Sequence, residues 1–295
     1  MENFNTGDRK MKYAVNTNFL RDKYSPKEII EQALLAEVQG IEWGLHGVET
    51  AAEEAKEATK LASDAGLEVF GFINGGKLWH KDDMLRWSEA VASAGAKSLR
   101  VSHPWFGYNY EETVHQPETF PSLMGRALDG LANLQEMGKQ FGLRYVLETH
   151  SGSCFASPMT VLALRQFSPE YCGFIYDVTN SFMEGFIRPR GAVEMMGPYL
   201  AYVHAKNRMP VEITDKNGKT GINWERRPLN KGCIDWEEVM FALKLAGFDG
   251  WLSFEEPYTS TETFAAEIRE GVAYLKECEA KAPSTIQEPF THFND

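Results

Sequence analysis

The sequence is poor in cysteine and has no closely paired cysteines. Its 295 residues include four, at Cys154, Cys172, Cys233 and Cys278, and no CxxC motif. This spacing argues against a structural zinc knuckle, and scattered thiols in a chain of this length are typical of a reducing cytosolic compartment. No apolar run is long enough to cross a membrane, and Met1 to Lys12 lacks the apolar segment of a signal peptide. We therefore expect a cytoplasmic protein with no membrane partner.

Positive charge is also scarce. The chain has 30 Lys and Arg residues against 42 Asp and Glu residues, which gives a net charge of −12. Nucleic-acid binding rewards a basic surface, and the sequence has no Lys/Arg run and no RNA-type aromatic motif, so we expect no nucleic-acid partner. An acidic surface is consistent with simple solubility. No glycine-rich phosphate cradle is evident, which favours an unphosphorylated substrate.

What the sequence does contain is a repeated joint, in which a helix-like stretch ends at glycine and a short apolar run follows. The five joints are centred on Gly40, Gly66, Gly95, Gly142 and Gly247. Glycine tolerates the left-handed conformation that closes a helix, so the repeat predicts alternating helices and parallel strands. Eight strands are predicted, at about 13–18, 41–45, 67–73, 98–103, 143–149, 173–178, 200–205 and 250–255.

Eight such units in one chain favour a single-domain α/β protein, a (β/α)8 TIM barrel, over an open doubly wound sheet. We assign the barrel to residues 12–281, an N-terminal extension to residues 1–11 and a C-terminal tail to residues 282–295.

Four of the predicted strands finish with a side chain that can hold a divalent cation. They read Tyr-Val-Leu-Glu148, Gly-Phe-Ile-Tyr-Asp177, Ala-Tyr-Val-His204 and Trp-Leu-Ser-Phe-Glu255. Three carboxylates and one imidazole suit a hard or borderline metal ion. Because the carboxyl ends of barrel strands converge on one mouth, where active sites are built, the series predicts a metal centre there.

Taken singly, each of these residues has a simpler explanation. Glu148 could be a solvated strand end, Asp177 the start of an Asp turn, and His204 a packed or hydrogen-bonded residue. Glu255 is followed directly by Glu256, and these patterns alone leave open which of the two is the ligand. Four such residues in order on successive strands nevertheless favour the metal interpretation.

The chain resembles the xylose isomerase-like TIM barrels, the sugar phosphate isomerase/epimerase superfamily. Three segments carry the resemblance: Val203-His204-Ala205-Lys206-Asn207, Lys231-Gly232-Cys233-Ile234-Asp235-Trp236, and Gly247-Phe248-Asp249-Gly250-Trp251-Leu252-Ser253-Phe254-Glu255. The resemblance implies that Glu148, Asp177, His204 and Glu255 are the metal ligands, and it favours Glu255 over Glu256. It also implies that Glu148 and Glu255 are the catalytic acid/base pair, and that the protein is a homo-oligomer.

The physics of sugar isomerisation or epimerisation fits this assignment. A proton moves beside a carbonyl, and the resulting enediolate needs a cation to hold its vicinal oxygens. We expect one ion, Mn²⁺ or Mg²⁺, with Co²⁺ or Zn²⁺ as alternatives, and a small polyhydroxylated carbonyl substrate. Six residues are predicted to bind that substrate, because their strand positions place them near the mouth: Trp43, His103, Trp105, His150, Lys206 and Arg208.

Several alternatives remain open at this point. The same site could end in β-elimination, as a dehydratase or lyase on an inosose, keto-sugar or 3-keto-glycoside, or the barrel could be a non-catalytic sugar-binding or partner subunit. His103 and His150 could be further ligands, as in multi-zinc DNA-repair endonucleases, but seven histidines and a charge of −12 argue against that. Lys206 could polarise a substrate oxygen, form a Schiff base or pair with a carboxylate.

The sequence also departs from the family it resembles. Asn180 stands where many epimerases have histidine, and Asn207 where many relatives have aspartate. These differences put ordinary ketose epimerisation in doubt without affecting the metal ligands.

Overall fold

The computed structural model describes residues 10–185, 187–259, 262–283 and 285. Most of the predicted extension at 1–11 and most of the predicted tail at 282–295 lie outside these residues. All of the predicted metal ligands and substrate-binding residues lie within them.

Eight parallel strands close into a barrel, so the predicted (β/α)8 fold is confirmed. The strands are β1 (Lys12–Asn16), β2 (Gly40–Gly44), β3 (Glu68–Lys77), β4 (Ser98–Ser102), β5 (Arg144–Glu148), β6 (Cys172–Asp177), β7 (Leu200–Ala205) and β10 (Trp251–Phe254). The barrel is closed where β1 pairs with β10 and with β2. Each strand lies within a few residues of its predicted position.

Ten α-helices are present in the described parts of the chain. They are α1 (Pro26–Leu35), α2 (Ala51–Asp64), α3 (Lys81–Ser93), α4 (Tyr110–Val114), α5 (Phe120–Phe141), α6 (Val161–Leu164), α7 (Val178–Met183), α8 (Pro189–Met196), α9 (Trp236–Leu245) and α10 (Phe264–Lys281). A capping box between Ser25 and Glu28 starts α1, and Asp235 caps α9 through the amides of Glu237 and Glu238. Among the described helices, none combines the length and hydropathy needed to span a bilayer.

The barrel interior is divided into an apolar base and a polar top. Six buried residues fill the base: Ala14, Phe70, Val146, Ile175, Tyr202 and Trp251. Phe70 stacks on Trp251 with ring centroids 4.8 Å apart, and this contact closes the interior on that side. A separate and larger apolar cluster packs the helices against the outside of the strands. The charged groups of the barrel therefore gather toward its carboxyl end, where solvent and substrate have access.

The segment between β7 and α9 contains an antiparallel hairpin. Its strands are β8 (Asn207–Thr214) and β9 (Thr220–Arg227), joined by a turn in which Asp215 accepts the amides of Asn217 and Lys219. The hairpin is mostly exposed, so its side chains lack the apolar alternation that identifies a half-buried strand. At its base, paired Arg208 and Arg226 both reach Glu256 and tie the hairpin to the barrel mouth.

Candidate metal centre

Four adjacent strands bring the four predicted ligands to one point. Strands β5, β6, β7 and β10 are neighbours in the barrel. Glu148 and Asp177 are the last residues of β5 and β6, His204 lies one residue before the end of β7, and Glu255 directly follows β10. One ligand atom from each residue lies within 4.8 Å of the other three, and all four residues are buried. This donor set of three carboxylates and one imidazole can hold a divalent ion.

The imidazole of His204 provides the most direct test of whether these residues fit a metal. Its Nδ1 is buried and has no hydrogen-bond partner. The same atom lies 3.4 Å from Glu148 Oε1, 3.5 Å from Glu255 Oε2 and 3.9 Å from Asp177 Oδ2. A buried ring nitrogen without a partner is costly unless another group satisfies it, and a cation among the three carboxylates would do so. The residues therefore fit a divalent metal.

Glu42 orients this imidazole from behind. Its carboxylate accepts the His204 Nε2–H at 3.0 Å, and it also accepts the Tyr202 hydroxyl at 2.6 Å, the Ser253 hydroxyl at 2.8 Å and the Asn16 amide at 3.1 Å. Because Nε2 donates to this carboxylate, Nδ1 is the nitrogen left to face the ligand cluster. Metal-binding histidines are commonly oriented by a carboxylate in this way. Glu42 is fully buried in the middle of β2, and no pattern in the sequence pointed to it as part of the site.

Arg100 on β4 pairs with Glu148 from the other side of the cluster. Burial alone would raise the pKa of Glu148, but the Arg100 guanidinium leads the positive charges that hold this pKa well below its usual range. Glu148 is therefore ionised at neutral pH, which is the form that can accept a proton. Arg100 was not identified from the sequence either.

Asn180 links two of the ligands. Its side-chain amide donates to Asp177 Oδ2 at 2.8 Å and to Glu148 Oε1 at 3.1 Å, and its backbone amide donates to Asp177 Oδ1 at 2.8 Å. The first turn of α7 thus fixes the spacing of the two carboxylates. Asn180, which stands where many epimerases have histidine, therefore holds two of the candidate ligands by hydrogen bonds.

Lys206, predicted to bind substrate, lies inside the ligand cluster. Its ammonium contacts Asp177 Oδ2 at 2.7 Å and Glu255 Oε2 at 2.5 Å, and it is 3.9 Å from Glu256 Oε1. Burial alone would lower the pKa of Lys206, but Asp177 and Glu255 outweigh burial and hold this pKa well above the ordinary value. The side chain therefore carries a full positive charge among the carboxylates.

The centre has more buried acids than nearby cations. The acids are Glu42, Glu148, Asp177 and Glu255, and the cations are Arg100, Lys206 and the His204 ring. Burial and the neighbouring carboxylates raise the pKa of Asp177 to about 8, against the pull of Lys206. Burial opposes ionisation of Glu255 too, yet Lys206 brings the pKa of Glu255 down to about 2. Protons on Asp177 and on the His204 ring therefore balance part of the negative charge of the cluster, and a divalent ion held there would replace them.

The adjacent acids Glu255 and Glu256 point to different partners. Glu255 joins the ligand cluster. Glu256 accepts three hydrogen bonds from Arg208 and forms an ion pair with Arg226 at 3.2 Å. The geometry thus places Glu255, the residue favoured by the family resemblance, in the candidate ligand cluster, and Glu256 at its edge.

The predicted substrate residues after β4 and β5 form one aromatic rim. His103 stacks on His150 with centroids 4.1 Å apart, and Trp105 packs edge-on against Tyr108 at 4.0 Å. The two loops are joined by a bridge between Trp105 and Ser153. Burial and the adjacent His150 lower the pKa of His103 to about 3, so this ring is neutral. A rim of aromatic rings beside the charged cluster can contact the carbon face of a sugar and its hydroxyl groups.

Two predicted substrate-binding residues, Trp43 and Arg208, have other contacts in the structure. Trp43, only 4% exposed, packs into the cluster between barrel and helices. Arg208 is engaged with Glu256, at the base of the hairpin. The rest of the predicted set, His103, Trp105, His150 and Lys206, lies around the ligand cluster.

The chain matches the family described as xylose isomerase-like TIM barrel over residues 30–278, and it belongs to this family. No curated protein is significantly similar to it in sequence.

Solved structures share the fold at low identity. The 3-keto-D-glucoside 4-epimerase YcjR from E. coli has a TM-score of 0.70 at 17% identity, covering 91% of this chain and 100% of that one. A xylose isomerase-like TIM barrel protein from Mycobacterium smegmatis, in complex with magnesium, has a TM-score of 0.66 at 17% identity, covering 92% and 97%. The probable 3-DHS dehydratase AsbF from Bacillus anthracis has a TM-score of 0.64 at 14% identity, covering 90% and 99%. At these identities the likeness shows the fold alone.

Proposed function

We propose that this protein is a divalent-metal-dependent sugar isomerase or epimerase that moves a proton beside a carbonyl group. The observation that carries the proposal is the convergence of Glu148, Asp177, His204 and Glu255, with the His204 Nδ1 buried among three carboxylates and otherwise without a partner. The family membership and a magnesium-containing neighbour support it. Mn²⁺ or Mg²⁺ suits the oxygen-rich donor set, and Co²⁺ or Zn²⁺ is compatible with the imidazole.

The four ligands would hold the ion, and its chemistry when bound is Lewis-acid stabilisation of negative charge on neighbouring substrate oxygens. The protein groups supply the remaining functions. Glu148 and Glu255 lie on strands separated by β6 and β7, so they approach the mouth from different sides. One can take a proton from carbon and the other can return one, and such positioned acid–base assistance contributes roughly 10²–10⁴ in rate.

The substrate is proposed to be a small polyhydroxylated carbonyl compound. Its hydroxyl groups would meet the imidazoles of His103 and His150 and the ammonium of Lys206, while Trp105 would cover a carbon face. This combination of stacked rings and hydrogen-bond donors beside carboxylates is suited to sugars and polyols.

Glutamine substitutions test the proposal. Glu148→Gln and Glu255→Gln keep size and shape but cannot accept a proton, so each should lose turnover on any active ketose or keto-glycoside while the fold is retained by circular dichroism. The exposed Glu53→Gln is the matched control. Full activity in either site variant would remove that residue from the acid–base role.

A dehydratase or lyase acting at the same site is the second candidate. Asn180 favours it, because the amide is committed to Glu148 and Asp177 and no imidazole stands at this position to serve a second proton transfer. Elimination needs an acid for the departing hydroxyl, and Lys206 is a buried ammonium beside the cluster. Product analysis in deuterated water separates the candidates: isomerisation or epimerisation leaves a product of equal composition, whereas elimination releases water or an aglycone.

A further inference from the structure

Lys206 contacts the oxygens that a metal would need. Its ammonium binds Asp177 Oδ2 and Glu255 Oε2. These are the same two oxygens that face His204 Nδ1, at 3.9 and 3.5 Å. An ammonium and a divalent ion cannot both occupy the space between these atoms, because like charges at contact distance repel strongly in a buried site. The two cations therefore compete for one position.

We propose that Lys206 is the resident cation of the metal-free centre and must leave it when a metal enters. This inference rests on the proposed metal-dependent function and adds a competitor within the chain itself. The Lys206 ammonium lowers the electrostatic free energy of the buried acids, because it contacts both Asp177 and Glu255. The consequence is a weaker affinity for metal than the four ligands would otherwise give.

A second anion is available to receive the displaced ammonium. Glu256 Oε1 lies 3.9 Å from Lys206 Nζ, so a modest rotation of the flexible lysine stem brings the two groups into contact. Arg208 and Arg226 already hold Glu256 in a fixed place at the mouth. Glu255 and Glu256, adjacent in sequence, would thus serve as a metal ligand and as the alternative lysine partner.

Metal affinity of the chelator-stripped protein tests the proposal without a substrate. Isothermal titration with Mn²⁺ would compare the wild type with Lys206→Met, which removes the charge and keeps much of the stem. We expect Lys206→Met to bind Mn²⁺ about tenfold tighter or more, because a buried unit charge no longer has to be displaced. Lys206→Arg should not gain affinity, and the exposed Lys60→Met should behave as the wild type.

Two further measurements keep the inference testable if the metal-free Lys206→Met protein is poorly folded. The variant can be purified with Mn²⁺ and its affinity measured by chelator competition, and its thermal stabilisation by Mn²⁺ should exceed that of the wild type. Glu256→Gln should bind Mn²⁺ several-fold more weakly than the wild type, because the displaced ammonium loses its alternative partner.

The outcomes separate this inference from the proposed function. Equal or weaker Mn²⁺ binding by a folded Lys206→Met protein, with normal binding by the wild type, overturns the competition and leaves the metal centre standing. Absence of Mn²⁺ binding in both proteins overturns the proposed metal-dependent function itself.

Discussion

The support that Glu42 gives to His204 leads to a specific prediction for Glu42→Gln. Glutamine matches glutamate in size but has one acceptor oxygen in place of two. The carboxylate receives four donors, from His204, Tyr202, Ser253 and Asn16. The NH₂ group of glutamine must face at least one of these donors and cannot accept its hydrogen bond. The loss of that acceptor should lower the free energy of unfolding by about 1–3 kcal/mol.

Metal affinity should fall further than this general loss of stability suggests. A neutral amide no longer fixes the Nε2–H tautomer of His204, so Nδ1 is less well directed at the ion. Removal of a partner of this kind weakens metal binding by about 10–100-fold, or roughly 1.4–2.8 kcal/mol.

Isothermal titration with Mn²⁺ measures the change, with circular dichroism to confirm the fold. The exposed Glu53→Gln, on α2, is the matched control and should bind Mn²⁺ like the wild type. If folded Glu42→Gln protein binds Mn²⁺ with wild-type affinity, Glu42 does not position the ligand, and our account of the His204 environment is wrong.

Three further predictions concern other parts of the site. Arg100→Met should lower the unfolding free energy of the metal-free protein by about 3–5 kcal/mol in urea, because it leaves the Glu148 charge buried without its partner; a loss below about 1 kcal/mol would refute the pairing. Asn180→Ala should weaken Mn²⁺ binding about tenfold by freeing two ligands, and unchanged affinity by titration would contradict this. Gly152→Ala should raise KM more than it lowers kcat, because at φ +74° the new Cβ would lie 3.0 Å from the Trp105 ring and displace it. An unaltered KM in steady-state kinetics would exclude a contact between this rim and the substrate.

The barrel was predictable from the sequence because its signals are local. Glycine at a helix end, an apolar strand and a polar strand end all lie within short stretches, and they repeat often enough to identify the fold. The ligands could be proposed for the same reason, since Glu148, Asp177 and His204 each close an apolar run.

The groups that support the ligands were not predictable in the same way. Glu42 and Arg100 lie inside apolar strand segments, Gly40-Ile41-Glu42-Trp43 and Leu99-Arg100-Val101, and their partners are 162 and 48 residues away along the chain. Closure of the barrel brings Glu42 on β2 to His204 on β7, and the pairing of β4 with β5 brings Arg100 to Glu148. A charged residue in the middle of an apolar barrel strand is nevertheless a usable signal, because it must find a buried partner.

The hairpin formed by β8 and β9 escaped prediction for a different reason. Its strands are exposed on most of their surface, so no core imposes a period of two on the sequence. The position of Lys206 could not be decided from sequence either. A charged lysine two residues after a ligand fits a substrate contact and a carboxylate partner equally well, and only the distances distinguish these roles.

The most direct test of the central claim is anomalous diffraction at the manganese absorption edge, from crystals of chelator-stripped protein loaded with Mn²⁺. We predict one strong peak per chain, bonded to Glu148, Asp177, Glu255 and the Nδ1 of His204, with Lys206 withdrawn from the ligand oxygens. A map with no peak among these four side chains, or with the ion bound elsewhere, would contradict the assignment of a metal centre to the barrel mouth.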